Sequence, residues 1–156
     1  MNICMTGFAG DKGARELADK NIEKLKTLFP ASFLRRIFDK KNVSVAASSP
    51  ETIDSELIIP IEKGLYQSLW ELGEMLGCGM EITHADIPIK QESIEVCEAL
   101  DISPYEIPSS GYLFVMPEGE APADRIMEGR VIGHTTNKND RVVYFGSITR
   151  YLNKPR

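Results

Sequence analysis

A chain of 156 residues is long enough for one domain with a real core, since a globule of this size buries about 68–70% of the surface its unfolded chain exposes. Eighteen basic against twenty-three acidic residues give a net charge of −5, which repels phosphate backbones and excludes a general basic field for nucleic acid. Apolar residues at 42% and charged residues at 26% are ordinary for a soluble globule, and no apolar run approaches the ~20 residues that span a bilayer, so neither disorder nor a membrane role is expected.

In chain order, residues 3–6 read as a short buried strand running straight into Gly7-Phe8-Ala9-Gly10-Asp11-Lys12-Gly13. A helix follows, because Ala14, Ala18, Ile22, Leu25 and Phe29 step by 4, 4, 3 and 4 along one stripe while Arg15, Glu16, Lys20, Glu23 and Lys24 face water. Pro30 ends it. Residues 32–40 form a second amphipathic helix, in which Arg35, Arg36, Lys40 and Lys41 are spaced by Phe33, Leu34, Ile37 and Phe38 and read as its solvated face. A strand is expected over 43–47, a break at Ser48-Ser49-Pro50, and an apolar run over 57–61.

The next helix starts near Glu62, carries Leu65, Leu69, Leu72 and Leu76 on one stripe and stops at Gly77. Residues 79–83 are a strand candidate, and 91–100 a helix turning Ile94, Cys97 and Leu100 inward. Ser109-Ser110-Gly111 leads into a strand over 112–116, and residues 122–128 form a short helix closed by Gly129. Residues 131–135 and 141–145 are expected to pair as a hairpin across Asn137-Lys138-Asn139-Asp140. Strands alternating with helices specify an α/β (α+β) domain, a layered mixed sheet with helices, over residues 1–150, with 151–156 as a C-terminal tail.

Chemistry-bearing patterns are few. Cys4, Cys78 and Cys97 lie far apart, form no CxxC pair and sit among apolar residues, as reduced thiols packed in a core do, which points to a cytoplasmic protein. His84 and His134 have no partner at metal-ligand spacing, and Glu92, Glu95 and Glu98 form the polar face of a helix, so no metal site and no catalytic residue is expected. The Gly7–Gly13 loop has two readings: a plain strand-to-helix turn with Asp11 as N-cap, or a cradle in which backbone N–H groups and Lys12 meet an anion at a helix N-terminus. Ser109-Ser110-Gly111 is likewise either a turn or a pair of hydroxyl donors. Glu62 beside Lys63 suits the opening of a helix.

Taken in order, several stretches resemble one family. Ala85-Asp86-Ile87-Pro88-Ile89 and the later Asp101-Ile102-Ser103-Pro104 resemble the "I-P-V … D-P" segment of aminoimidazole-ribonucleotide (AIR) synthase C-terminal domains. Ser109-Ser110-Gly111 resembles the step before that domain's next strand, and Gly129-Arg130-Val131-Ile132-Gly133 its late "V-I-G" strand. Leu69-Trp70-Glu71-Leu72-Gly73-Glu74 with Gly77-Cys78-Gly79-Met80-Glu81-Ile82 is similar to its "L-W-E-I-A-E … G-V-G-I-E" helix and strand. Met5 to Gly13 resembles the segment that opens the C-terminal domain of hydrogenase-maturation members.

The resemblance implies the C-terminal half of the AIR synthase and hydrogenase-maturation superfamily, without the N-terminal half in which relatives bind Mg-ATP, pair, and activate an amide-like or acyl oxygen by phosphorylation. Where the family carries "M-H-D-x-T-x-G-G", this chain has residues 57–64, with Ile59 for the Asp and Ile61 for the Thr; Glu62 and Gly64 persist. The chain ends in Tyr151-Leu152-Asn153-Lys154-Pro155-Arg156, with no cysteine for the thiocyanate chemistry of the maturation enzymes.

These readings lead to a stand-alone, non-catalytic module that binds a small anion, assembles, or both, and needs no cofactor. Its ligand, a phosphate- or carboxylate-bearing small molecule, is expected at Thr6, Gly7, Gly10, Asp11, Lys12, Gly13, Glu62, Gly64, Ser109, Ser110 and Gly111. Its protein partner is expected to be a second copy or a separate chain carrying the ATP-binding domain. The alternative is a subunit of an ATP-dependent maturation or ligase enzyme completed by that separate chain.

Overall fold

The computed structural model describes residues 1–39, 57–119 and 129–154. The expected strand over 43–47, its break at 48–50, Lys40 and Lys41, and the helix over 122–128 lie outside the described residues.

Seven strands form one mixed sheet: β1 (Asn2–Met5), β2 (Ile58–Pro60), β3 (Gly79–Thr83), β4 (Tyr112–Met116), β5 (Arg130–Thr136), β6 (Arg141–Phe145) and β7 (Ile148–Tyr151). Their order is β2-β4-β1-β5-β3-β6-β7, and every pairing is antiparallel except that of β3 with β6. The helices are α1 (Asp11–Lys20), α2 (Ile22–Leu28), α3 (Ala31–Phe38), α4 (Leu65–Leu76) and α5 (Gln91–Ala99). This is the layered mixed α/β architecture expected from the alternation of elements.

Strand alternation divides the core. Ile3 and Met5 of β1, with Leu113 and Val115 of β4, join Leu65, Leu69 and Leu72 of α4 in one apolar cluster. Those three leucines are fully buried, each worth about 1.5–3 kcal/mol. Cys4 points the other way and packs with Phe114 and Met116. A further cluster belongs to the helices alone: Ala18 of α1, Leu25 of α2, Phe33 and Leu34 of α3 and Val96 of α5.

Several boundaries and one pairing differ from the sequence expectation. The long helix after the glycine loop is two helices, because Asn21 leaves helical geometry (φ −118°, ψ 25°), its backbone N–H (3.0 Å) and its side-chain amide (2.9 Å) both donating to Leu17 O as a cap. The helix expected from Glu62 begins at Leu65, since Gly64 has a non-helical, positive φ of +102° and forms its N-cap. On α5 it is Ser93, Val96 and Cys97 that are buried, while Ile94 and Leu100 are half-buried. At the end of the chain, Tyr151 belongs to β7, and Leu152, expected in the tail, is buried, its N–H donating to Arg141 O at 2.8 Å.

The expected β5–β6 hairpin does not form. β3 lies between the two strands, antiparallel to β5 (Met80↔Thr135) and parallel to β6 (Met80↔Arg141). Gly79 permits this, because a Cβ there would fall 2.3 Å from Lys138 O and 2.5 Å from Asp140 O, so the 137–140 connection wraps closely around a residue with no side chain. Met80 N–H then donates to Asp140 O at 3.0 Å.

Candidate functional site

The residues singled out from sequence meet along one segment, 103–111, which threads between the loop after β1 and the turn before α4. Thr6 closes β1; it is fully buried and exchanges two bonds with Tyr112, donating its N–H to the carbonyl (3.0 Å) and accepting the amide on Oγ1 (2.9 Å). Gly7 packs on Gly111, Gly13 on Ile107 and Gly64 on the backbone of Glu106. Ser109 N–H donates to Ile61 O at 2.9 Å, and Ile61 N–H to Gly111 O at 3.3 Å.

At the centre, Gly10 is the N-cap of α1, with φ +66°, and a Cβ there would fall 2.3 Å from Pro104 O. Its N–H donates to the buried Ser109 Oγ at 2.8 Å. Asp11, the first residue of α1 rather than its N-cap, uses its carboxylate on the neighbouring segment: Oδ1 accepts Ser110 N–H (2.8 Å) and Oδ2 accepts Ser110 O–H (2.6 Å). Glu62 stands apart, exposed beside Ile58, Pro60 and Lys63 at another cavity. Ile59 and Ile61, at the family's polar positions, are core residues.

Within the loop, the amides of residues 9–14 are engaged by the protein itself. Ala9 N–H donates to Pro88 O (2.8 Å), Asp11 N–H to Phe8 O (3.4 Å), Gly13 N–H to Pro108 O (2.8 Å) and Ala14 N–H to Gly10 O (2.8 Å). Lys12 N–H is taken by Asp11 Oδ1 at 2.8 Å and Gly10 N–H by Ser109. Backbone donors are an accounting problem, and over residues 9–14 the protein itself supplies every acceptor. The close approach that glycine permits here is that of chain to chain.

Beside this knot lies a cavity of about 260 Å³ between α1, α3 and α5, lined by Asp11, Lys12, Arg15, Arg36, Ile37, Lys90, Glu92, Ser93 and Ser110. Four cationic side chains face two carboxylates, and one of those, Asp11, already holds Ser110. The cations are anchored by aromatic, carboxylate and carbonyl partners. Lys90 Nζ sits 4.9 Å from the centroid of Phe8, Arg36 lies 5.4 Å from that of Phe33 and 3.8 Å from Glu92 Oε1, and Arg15 donates to Phe38 O at 3.4 Å. Sequence reading reached Asp11, Lys12 and Ser110 but took Arg15 and Arg36 for solvated positions and passed over Lys90 and Ser93. Their convergence depends on α3 crossing the ends of α1 and α5, which periodicity does not encode.

Packing accounts for the cysteines and His84. Burial pushes the Cys4 and Cys97 thiols up to about 11, and the three cysteines are unbridged. His84 stacks on Phe145 (4.2 Å) and meets Tyr105 edge-on (5.0 Å), and its burial lowers the imidazole pKa. His134 Nε2 lies 2.9 Å from Glu81 Oε2. Among the described residues no group of three or more His, Cys, Asp or Glu is placed to hold a metal ion, and no helix is long and apolar enough to cross a membrane.

No protein-family model matches the chain. Among curated proteins, it is 36% identical over 61 residues to carbamoyl dehydratase HypE of Rhodobacter capsulatus, a stretch covering 38% of this chain and 18% of that relative. Among solved structures it is similar to HypE of E. coli (TM-score 0.66, 16% identity, 99% of this chain and 49% of that one) and to a HypE in complex with ATP (0.65, 17%, 99% and 50%). It is also similar to thiamine monophosphate kinase from Aquifex aeolicus (0.58, 16%, 91% and 49%). The chain thus spans about half the length of these structures, and at the level of the fold they bear out the AIR synthase and hydrogenase-maturation resemblance read from the sequence.

Proposed function

We propose that this chain is an AIR synthase-related module of the hydrogenase-maturation type, cytoplasmic and non-catalytic by itself, that binds a small phosphate- or carboxylate-bearing molecule and assembles with a second copy or a partner chain. The observation that carries the binding reading is the convergence of Lys12, Arg15, Arg36 and Lys90 on one cavity in a chain whose net charge is −5. Concentrating positive potential in a partly enclosed space makes a seat for a compact anion even where the overall field is repulsive. The ligand's partners are then the cationic side chains and the hydroxyl of Ser93, with Lys12 retained from the loop.

Titration of the purified chain with inorganic phosphate, followed by amide resonances, tests this. Shifts centred on Lys12, Ser93 and Ser110 at millimolar phosphate are expected, and their absence up to tens of millimolar removes the anion seat. Sedimentation at tens of micromolar tests the assembly half, for which a strict monomer is the adverse result.

The second reading, a subunit of an ATP-dependent enzyme whose ATP-binding domain is on another chain, is favoured by coverage: a neighbour solved with ATP and one solved with HypF have the fold over 99% of this chain and are about twice as long. With Ile59 and Ile61 buried in the core, this chain alone is expected to bind no Mg-ATP at micromolar concentration by calorimetry, and micromolar binding would contradict both readings.

A further inference from the structure

A second cavity, of about 520 Å³, opens on the other side of the 103–111 segment, between the start of α4, β6, β7 and residues 152–154. We propose that it binds a small organic anion that carries a flat ring. Its volume falls within the roughly 300–1,000 Å³ usual for small-molecule sites. Two kinds of side chain line it: the cations Lys63, Arg150 and Lys154, against Glu106 as the carboxylate of the lining, and the aromatic rings of Tyr66, Phe145 and Tyr151.

The aromatic wall is braced from behind. Tyr66 stacks on Tyr105 (5.3 Å), Tyr105 meets His84 (5.0 Å), and His84 stacks on Phe145 (4.2 Å), so two of the rings bordering the cavity, Tyr66 and Phe145, belong to a continuous ladder spread over four segments of the chain. Arg150 closes the ladder, its guanidinium carbon 5.2 Å from the Phe145 centroid. A guanidinium held against a ring is well suited to meet an anion with its edge while the apolar body of the ligand lies along the aromatics. Tyr151 is 64% exposed although it lines the cavity, which leaves a large ring for a ligand to cover.

The Tyr66 phenol supports the same ligand class. Burial, then the neighbouring Tyr105, pushes it up to about 12 against the opposing pull of Arg150, so it stays neutral and offers a hydrogen bond without repelling an anion. The cavity shares no lining residue with the basic one beside α1, and this inference stands or falls independently of the reading above.

The test uses 1-naphthyl phosphate as probe, with inorganic phosphate and 1-naphthol as its two halves, titrated into the purified chain by calorimetry and amide resonances. The whole probe is expected to bind at least tenfold more tightly than either half and to shift Tyr66, Arg150 and Tyr151. Arg150→Ala and Tyr66→Leu should each weaken it about tenfold or more, while Arg36→Ala, in the other cavity, leaves it unchanged. Because Tyr66→Leu also touches the ladder, Lys154→Ala serves as a variant outside the packed wall, with a threefold or larger loss expected. No binding at millimolar probe, equal affinity for 1-naphthol, an unchanged Arg150→Ala, or loss on Arg36→Ala overturns the proposal.

Discussion

The two faces of the loop that opens α1 use the same residue types to opposite ends. On the face turned to the 103–111 segment, the Gly10 N–H, the Asp11 carboxylate and both Ser110 donors are satisfied within the protein at 2.6–2.8 Å. On the face turned to α3 and α5, four cations line a cavity with two carboxylates, and Arg36 lies 3.8 Å from Glu92. A glycine-rich strand-to-helix turn therefore need not present its amides to a ligand. Counting where each donor goes separates groups that hold the chain together from groups left to meet something else.

The comparison breaks most readily at Gly10. Gly10→Val would put a β-branched side chain into left-handed backbone and against Pro104 O, so a loss of about 3 kcal/mol or more is expected. For a chain of this size that is roughly 6–12 °C in melting temperature, readable by calorimetry. An unchanged melting temperature would show that the 103–111 segment is not pinned there. Asp11→Ala should cost about 1.5–3 kcal/mol in urea denaturation, through the loss of three bonds to a charged acceptor. The same variant removes a carboxylate from the basic cavity, so phosphate affinity should rise while stability falls. Affinity and stability falling together would mean that the two faces are one site.

Arg36→Ala is the reverse case. Its guanidinium is more than half exposed and its ion pair is long, so stability should change by no more than about 0.5 kcal/mol, while phosphate affinity falls about three- to tenfold. The smallest effect belongs to His84, packed on Tyr105 of the same segment. Its folded-state pKa is lowered by burial, so below the ordinary value of 6.5 the unfolded chain binds more protons than the folded one. Stability is therefore complete above that value and declines as pH falls through it. Urea midpoints should be lower at pH 5.0 than at pH 7.5, and the part of the difference due to this group should vanish in His84→Phe.

Local pattern made much of this legible. The spacing of Leu65, Leu69 and Leu72 placed α4, the short apolar runs around Ile3 and Leu113 placed central strands, and the collinear motifs pointed to the fold that the solved structures share. Where one residue leaves helical geometry inside a periodic pattern, as Asn21 does, the pattern overran the break. The hairpin expectation failed because a short polar connection between two strands says nothing of a third strand entering beside Gly79. The Asp11–Ser110 bonds join residues 99 positions apart, and the basic cavity collects side chains from three helices. Neither leaves a trace at helical or strand period, so the loop could be picked out while the direction of its donors could not.

The position of β1 bears on how the chain acquires its structure. β1 is flanked by β4 and β5, both far later in the chain, and even the Met1 carbonyl accepts from Thr135 N–H at 2.9 Å. It therefore finds neither of its partner strands until the later part of this domain has left the ribosome. Closing such distant pairs demands a large loss of chain entropy before any stabilisation is returned, which places this domain among the slow, high-contact-order folders. It follows that shortening the chain from its C-terminal side past β5 should do more than trim an edge: it would remove one wall of the slot that β1 enters, and the early apolar residues Ile3, Cys4 and Met5 would remain exposed to whatever holds nascent chains.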